Sequence, residues 1–372
     1  MQKNLTAFVL VIMSLGVFFN GYCQTKKNHL TKNDSLGANY GNPQKALKSE
    51  PDLSGWSNRP KLAVIEMMAM YGEPREVSSE AIIWHNAGPY KRIMVTKKEI
   101  PHDFPLPHMD YLEHTISYNV PTDKVDDLVA YDASMTINKT AGEMSARCDL
   151  EGHNILTLNL AHDIITGKKT VEAARESFGK IVTEDILGKH PDYVEKLQFT
   201  PPVQNVLFPD KPIIPGSPVR DSTSSGGTDA EVLAFVIASD MNEVLAAAQA
   251  QLKKIAQPIM DYAKMLHMEH GMNIEKTMKL GQTIKTKPAH TNAVDNLQVK
   301  GAGELAAIVP LNGKDFETAY IDAMIKGHNE VLAMIDGKLL KQAKNGDLKK
   351  HLAETRQHVA MHLEAAKKLK KA

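Results

Sequence analysis

Residues 229–256 read DAEVLAFVIASDMNEVLAAAQAQLKKIA, and this stretch decides the fold of the C-terminal part of the chain. Thr228 precedes it and is a favourable N-cap, so the stretch predicts one long helix that begins at Asp229. Its apolar stripe consists of Val232, Val236, Ala247 and Ala250. Glu243 lies within that stripe, so this helix directs a carboxylate toward the face that should be buried.

Three further stretches predict helices of similar length, at 258–281, 314–344 and 347–370. Pro258 opens the second of them, because proline is favoured in the first turn of a helix. The first and third connections are short, whereas the middle connection spans 285–313 and is predicted to hold a short helix near 303–308. Two antiparallel hairpins joined by one long crossover are the topology of a ferritin-like four-helix bundle.

Each of the later helices also places a histidine on its apolar stripe, at about 100° per residue. These residues are His270 in the second helix, His328 in the third, and His362 with His358 in the fourth. Together with Glu243 they fall near the middle of their helices, so antiparallel packing predicts that they converge in one layer. Burying such groups unpaired is costly. The layer is therefore either a hydrogen-bonded network that fixes helix register or a metal site.

These motifs resemble the signatures of a known family. The matching segments are Phe235-Val236, Asn242-Glu243-Val244, Met268-Glu269-His270, Asp315-Phe316-Glu317-Thr318-Ala319-Tyr320 with His328, and His362-Leu363-Glu364. They make residues 229–372 similar to the ferritin-like family of uncharacterised bacterial exported four-helix proteins of the periplasm and outer membrane. The resemblance implies a glutamate from the first helix and one histidine from each later helix. In this sequence those residues are Glu243, His270, His328 and His362.

A metal ion in this layer would be bound mainly by imidazoles, with His358 and His267 as further candidate ligands. Di-iron carboxylate sites need a Glu-x-x-His motif on each of two helices, and residues 229–372 contain none. An imidazole-rich site suits Zn, Cu or Ni better. The sequence therefore favours a cell-envelope binding protein that holds a divalent metal without turnover. The alternative is a metal-dependent redox enzyme of ferritin-like type.

The first residues predict export. Lys3 precedes an apolar run at 5–19, which is typical of a secretory signal peptide and short for a membrane span. We expect cleavage after Cys23, so that 1–23 is a signal peptide and the protein is periplasmic or associated with the outer membrane. A lipidated Cys23 and an uncleaved membrane anchor are the alternatives. Residues 24–50 are rich in Lys, Asn and Gly without an apolar period, which predicts a disordered tether.

Residues 51–200 predict a separate α+β domain, because short extended stretches with hairpin turns are followed by helices. The predicted strands lie at 80–84, 90–95, 111–120, 134–137 and 144–148, and the predicted helices at 62–70, 154–165, 171–182 and 193–197. Several prolines and then a Ser/Gly run follow at 201–228. This composition predicts a linker between the α+β domain and the helices at 229–372.

One stretch of the α+β domain is dense in metal-ligating residue types. It contains His102, Asp103, His108, Asp110 and His114. Imidazoles and carboxylates at this density can bind a divalent cation. The interspersed prolines also fit an irregular loop in which such residues occur for turn reasons, and the sequence leaves both interpretations open. Cys148, the cysteine that remains after cleavage, is predicted to be a buried apolar residue.

The charge balance argues against nucleic acid as a partner, because 44 basic residues are matched by 44 acidic residues. The sequence also lacks the phosphate-binding loop, the dinucleotide fingerprint and the Gly-x-Ser-x-Gly and His-Glu-x-x-His motifs. The partner that the sequence leaves open is an envelope protein or a small ligand.

Overall fold

The computed structural model describes residues 51–204, 206–221, 223 and 226–371. The predicted signal peptide and tether, residues 1–50, lie outside the described residues. The described chain has an N-terminal α/β region with a sheet and a C-terminal helical region. It divides into two compact units, the first ending at His114 but including Arg147–Glu151, and the second containing Thr115–Ala146 and the chain from Gly152 onward. Among the described helices, none has both the length and the apolar character that crossing a membrane requires.

Six strands form one sheet in the order β1-β2-β3-β4-β6-β5. Their bounds are Glu76–Val77, Ala81–Ala87, Tyr90–His102, His108–Ser117, Thr136–Asn138 and Glu143–Cys148, with β5 and β6 as the last two. β2 and β3 form the predicted antiparallel hairpin, in which Ala87 is paired with Tyr90 and Gly88 has a φ of 57°. Alternation along β2 buries Ile82 and Trp84 on the same face.

Five helices accompany this sheet. They are α1 at Asn58–Tyr71, α2 at Val125–Tyr131, α3 at Glu151–Ile165, α4 at Val171–Ile186 and α5 at Asp192–Glu195. α1 begins before the predicted residue 62, because Pro60 is tolerated in the first turn, where backbone N–H groups lack helical partners. α2 was not predicted from the sequence, since it is only two turns long and its buried residues are Leu128 and Tyr131.

The helical region contains five long helices. They are α6 at Asp229–Gln251, α7 at Gln257–Thr283, α8 at Asn292–Ile308, α9 at Gly313–Met334 and α11 at Gly346–Lys371. A π-helical turn at Ile335–Leu339 and the short α10 at Leu340–Gln342 continue α9. α6 packs against α7 and α8, while α11 packs against α9 and α7.

The middle connection differs from the prediction. It holds the 17-residue helix α8 rather than a short helix at 303–308. α8 begins early because the Thr291 side chain accepts a hydrogen bond from the backbone N–H of Val294 and so caps the helix. The predicted linker is also partly structured, because β7 at Val219–Arg220 pairs in parallel with β8 at Ala289–His290.

Two apolar clusters hold the long helices together. The first includes residues 232–236 and Ala238 of α6 together with Ile335, Leu348 and Leu352. The second includes Ala246, Ala247 and Ala250 of α6 together with Leu266, Phe316, Met324 and Ala366. Between the two clusters, α6, α7, α9 and α11 all bury polar residues, among them Asp240, His270, His328 and His362. A polar layer therefore separates two hydrophobic parts of the same region.

α8 lies very close to α6 at one glycine. A Cβ atom on Gly301 would lie 2.3 Å from the Asn242 side-chain nitrogen, which donates a hydrogen bond to the Leu297 carbonyl at 3.1 Å. Gly303, two residues further along α8, is exposed and has no such neighbour within 4 Å. Only at Gly301 is the absence of a side chain required for the contact between α8 and α6.

We expect Gly301→Ala to lower the free energy of unfolding by about 1–3 kcal/mol, because the added methyl displaces the Asn242 amide and overpacks the α6–α8 contact. Gly303→Ala is the matched control, and it should stabilise the protein by up to about 1 kcal/mol because alanine is the better helix former. Urea unfolding of both variants measures the difference. Equal effects of the two substitutions would contradict the α6–α8 contact.

Candidate metal centre

Three histidines from three helices meet in the polar layer. His270 of α7, His328 of α9 and His362 of α11 are 4%, 1% and 3% exposed. Their ring centroids form a nearly regular triangle with sides of 5.0 Å (His270–His362), 5.5 Å (His328–His362) and 5.9 Å (His270–His328). One ring nitrogen from each residue lies within 4.8 Å of the others. The sequence placed these residues at the same height, and the structure brings them together.

One nitrogen of each ring is held by an oxygen acceptor. The contacts are His270 Nδ1 to Asp240 Oδ1 at 2.7 Å, His328 Nδ1 to the Met324 carbonyl at 2.6 Å, and His362 Nε2 to Glu269 Oε2 at 2.7 Å. A carbonyl or carboxylate oxygen only accepts, so the ring nitrogen in each contact bears the hydrogen. Each neutral imidazole then has its lone pair on the opposite nitrogen.

Those opposite nitrogens are His270 Nε2, His328 Nε2 and His362 Nδ1, and all three are buried without a hydrogen-bond partner among the described residues. A buried polar atom without a partner costs about 1–3 kcal/mol. A cation bound among the three rings would interact with all three of these lone pairs. Outer contacts to carboxylates and carbonyls are the usual way in which proteins orient metal-ligating histidines.

The environment keeps two of the three imidazoles neutral. Burial lowers the pKa of His328, and it lowers the pKa of His362 to about 4 even though Glu269 acts in the opposite direction. Burial also acts to lower the pKa of His270, but the hydrogen bond to Asp240 and the negative charges of Asp240, Glu243 and Glu269 together outweigh it, so the pKa is raised. At neutral pH, His328 and His362 therefore offer lone pairs without first losing a proton.

Glu243 lies beside the histidines but outside their group. It is 8% exposed, and its Oε2 has no hydrogen-bond partner among the described residues. Its negative charge acts to raise the pKa of both His270 and His328, although burial still leaves the pKa of His328 lowered. Its Oε1 faces Gly327, at 3.1 Å from the position of an added Cβ. The predicted glutamate is therefore an electrostatic neighbour of the cluster.

Two further predicted candidates lie on the surface. His358 is exposed, with Nδ1 3.7 Å from Glu269 Oε2. His267 is also exposed, and its Nδ1 lies 2.9 Å from the Gln251 side-chain nitrogen. Neither residue belongs to the histidine cluster.

Asp240 was missed by the sequence reasoning, although a signal was present. It lies in the apolar stripe of α6, four residues after Val236 and three before Glu243, and it is buried. A second ionisable residue on the same stripe marks the side of α6 that faces α7, where it holds His270.

A pocket of about 140 Å³ adjoins the cluster and gives it an approach from one side. Its lining includes His270, His362, Asp240, Glu269 and the exposed His358. Two of the three histidines therefore border a polar cavity that can admit water or a small ligand.

A chain of hydrogen bonds extends from the cluster to a fourth buried histidine. Asn273 Nδ2 donates to Asp240 Oδ2 at 2.7 Å, and Thr277 donates to the Asn273 carbonyl at 2.7 Å. The Thr277 hydroxyl then accepts from His351 Nε2 at 2.8 Å. Burial lowers the pKa of His351.

The lowered pKa of His351 predicts a pH dependence of stability. The unfolded chain binds the proton more readily than the native chain, so the free energy of unfolding should fall as the pH drops below about 6.5. His351→Gln keeps a donor for Thr277 but removes the titration, and we expect a shallower decline for this variant. Urea unfolding of the metal-free protein over a pH series measures both slopes. Parallel curves for the two proteins would contradict the role assigned to His351.

Residues 216–369 match the model of a family described as a domain of unknown function (DUF4142). The matched range covers the helical region with all three clustered histidines, and it begins before α6, so that it includes β7. Comparison with curated proteins and with solved structures finds no match. The resemblance of these helices to ferritin-like proteins stays a prediction.

Proposed function

We propose that the helical region is a four-helix bundle of ferritin-like kind, formed by α6, α7, α9 and α11 with α8 in the crossover, and that it binds one divalent transition-metal ion in the cell envelope. The proposed ligands are His270, His328 and His362. The observation that supports this function is the set of three buried, unpaired ring nitrogens within one cluster.

A purely structural polar layer explains this arrangement less well. In such a network each acceptor is matched by a donor, whereas the donors of all three rings are used by Asp240, Met324 and Glu269. An added proton on His270 could serve at most one of the remaining lone pairs, which leaves another unsatisfied. A cation serves all of them at once.

The ligand set indicates the kind of ion. Three imidazoles favour Zn, Cu or Ni, and the nearby carboxyl groups of Asp240, Glu269 and Glu243 favour a positive charge. Zinc-bound nitrogens lie about 2.0–2.1 Å from the ion, so the rings would need to bring their nitrogens to about 3–4 Å from one another.

The adjoining pocket favours a second candidate function, a metal-dependent enzyme. Catalytic metal sites commonly combine three protein ligands with one position left for water or substrate. The pocket at His270 and His362 provides space for such a position. Binding without turnover remains the first proposal, because Asp240 and Glu269, the carboxyl groups that border the pocket, are already bonded to the rings of His270 and His362.

The decisive variant is His328→Leu. His328 is fully buried and its donor bonds a carbonyl of its own helix, so its removal leaves no charged group unpaired. We expect this variant to bind one zinc ion fewer per chain than the wild type, as measured by elemental analysis after dialysis. Zinc at about 100 times its Kd should stabilise the wild-type helical region by about 2.7 kcal/mol, and this gain should be lost.

His267→Leu is the matched control, because His267 lies outside the cluster on the neighbouring helix α7. It should keep the wild-type zinc content. If His328→Leu retains its zinc and is as stable as the wild type, the layer is structural and the proposal is wrong.

The orienting residue Asp240 offers a graded test. Asp240→Asn keeps an acceptor for His270 Nδ1 but removes the charge, and loss of such an outer contact typically weakens metal binding about 10–100-fold. We expect that decrease in zinc affinity by isothermal titration calorimetry, with stoichiometry unchanged. Glu275→Gln, an exposed change on α7, is the control. Equal affinities of the two variants would show that Asp240 does not act on the metal ligand.

A further inference from the structure

A second group of metal-ligating residues lies in the first compact unit, far along the sequence from the helical region. β3 ends at His102, β4 begins at His108 and contains Asp110, and β6 ends at Cys148. These three strands are neighbours in the sheet. The turn from β3 into β4 and the end of β6 thus bring four residues of metal-ligating types to one end of the sheet.

Asp110 lies between the two histidines. Its Oδ1 is 3.1 Å from His108 Nε2, and its Oδ2 is 3.3 Å from His102 Nδ1. Alternation along β4 places His108 and Asp110 on the same face of the strand, as their contact requires. One donor atom from each of the three residues lies within 4.8 Å of the others, and Asp110 is buried.

Cys148 approaches the same histidine nitrogen from the neighbouring strand. Its Sγ is 3.3 Å from His108 Nε2 and 3.3 Å from Asp149 Oδ1, and the residue is buried. His108 thus belongs to two overlapping groups, one with His102 and Asp110 and the other with Cys148 and Asp149.

The tautomer of His108 distinguishes a metal site from a catalytic relay. His108 Nδ1 lies 2.7 Å from the Leu106 carbonyl and donates to it, so a neutral ring presents a lone pair at Nε2. In a catalytic relay, the thiol and the carboxyl group contact opposite nitrogens of the histidine. Here Cys148 and Asp110 both approach Nε2. The sulfur, the carboxylate oxygen and the ring nitrogen, which are all atoms that can bind a metal ion, therefore lie next to one another.

We propose that His102, His108, Asp110 and Cys148 form a second metal site, for a divalent cation of the zinc type. Two imidazoles, one carboxylate and one thiolate are all ligands of four-coordinate zinc. The Leu106 carbonyl orients His108 as an outer contact. The ion would connect the 103–107 turn and the end of β6 to the start of β4. The site would therefore have a structural role.

Binding at this site releases protons. The thiol of Cys148 loses its proton when it becomes a ligand. In the metal-free protein, Asp110 Oδ1 and Cys148 Sγ lie 3.1 and 3.3 Å from His108 Nε2, so a proton on that nitrogen can be shared with them. The cation takes the place of that proton at Nε2.

Cobalt distinguishes this site from the histidine cluster, because only a thiolate ligand gives a sulfur-to-cobalt charge-transfer absorption in the near ultraviolet. The experiment uses the full chain with Cys23→Ser, which leaves Cys148 as its one thiol. Addition of Co²⁺ should produce the absorption. His328→Leu in this background should retain it, so that failure of the helical site and failure of this one are told apart.

Cys148→Ala should remove the absorption and lower the bound zinc by one ion per chain. His102→Gln keeps the thiol and serves as a second variant should Cys148→Ala fail to fold, and it should weaken the absorption at a given cobalt concentration. His85→Gln, on β2, is the matched control and should bind cobalt as the parent does. Absence of the absorption from the folded parent protein at saturating cobalt would overturn the proposal.

Discussion

The helical region is constrained by three buried imidazoles that must be satisfied between two apolar clusters. Each ring has one nitrogen fixed by Asp240, Met324 or Glu269, and these contacts join α6 to α7 and α7 to α11. Sliding any one helix by a turn would move its polar group into hydrocarbon, where an unpaired polar atom is costly. The layer therefore fixes helix register, while the apolar clusters above and below it supply most of the burial.

The histidine layer could be predicted from the sequence because its residues follow the helical period. His270, His328 and His362 occupy apolar stripes at matching heights, so their approach follows from antiparallel packing alone. His267 precedes His270 by three residues, yet it is turned far enough around α7 to be exposed. Glu243 has the right height, but its Oε1 lies beside Gly327 and the residue does not belong to the group of three rings. Such choices depend on side-chain direction, which the period does not specify.

The contacts within the sheet were harder to predict, because they join residues that are distant in sequence. The contact between His108 and Cys148 spans 40 positions and depends on β6 lying beside β4, a pairing that the pattern of residues within each strand does not specify. The prolines near His102 fitted an irregular loop, and residues 103–107 do lie outside the strands, but His102 ends β3 and His108 begins β4. α8 is longer than the helix predicted at 303–308, and Gly301, just before that range, permits its close packing on Asn242.

The two proposed metal sites, one in the sheet and one in the helical region, differ in how well protons could take the place of a metal ion. At the sheet, the donors converge on His108 Nε2, and one proton on that atom balances them. In the helical region the three lone pairs lie on separate rings, and His328 and His362 both have lowered pKa values because burial disfavours their charged forms. Protonating them would place two like charges beside each other in a low-dielectric interior, whereas a single dication shares its charge among all three rings and faces the carboxyl groups of Asp240 and Glu269. Of the two proposed sites, the helical layer is for that reason the one at which a metal ion would have the larger advantage over protons.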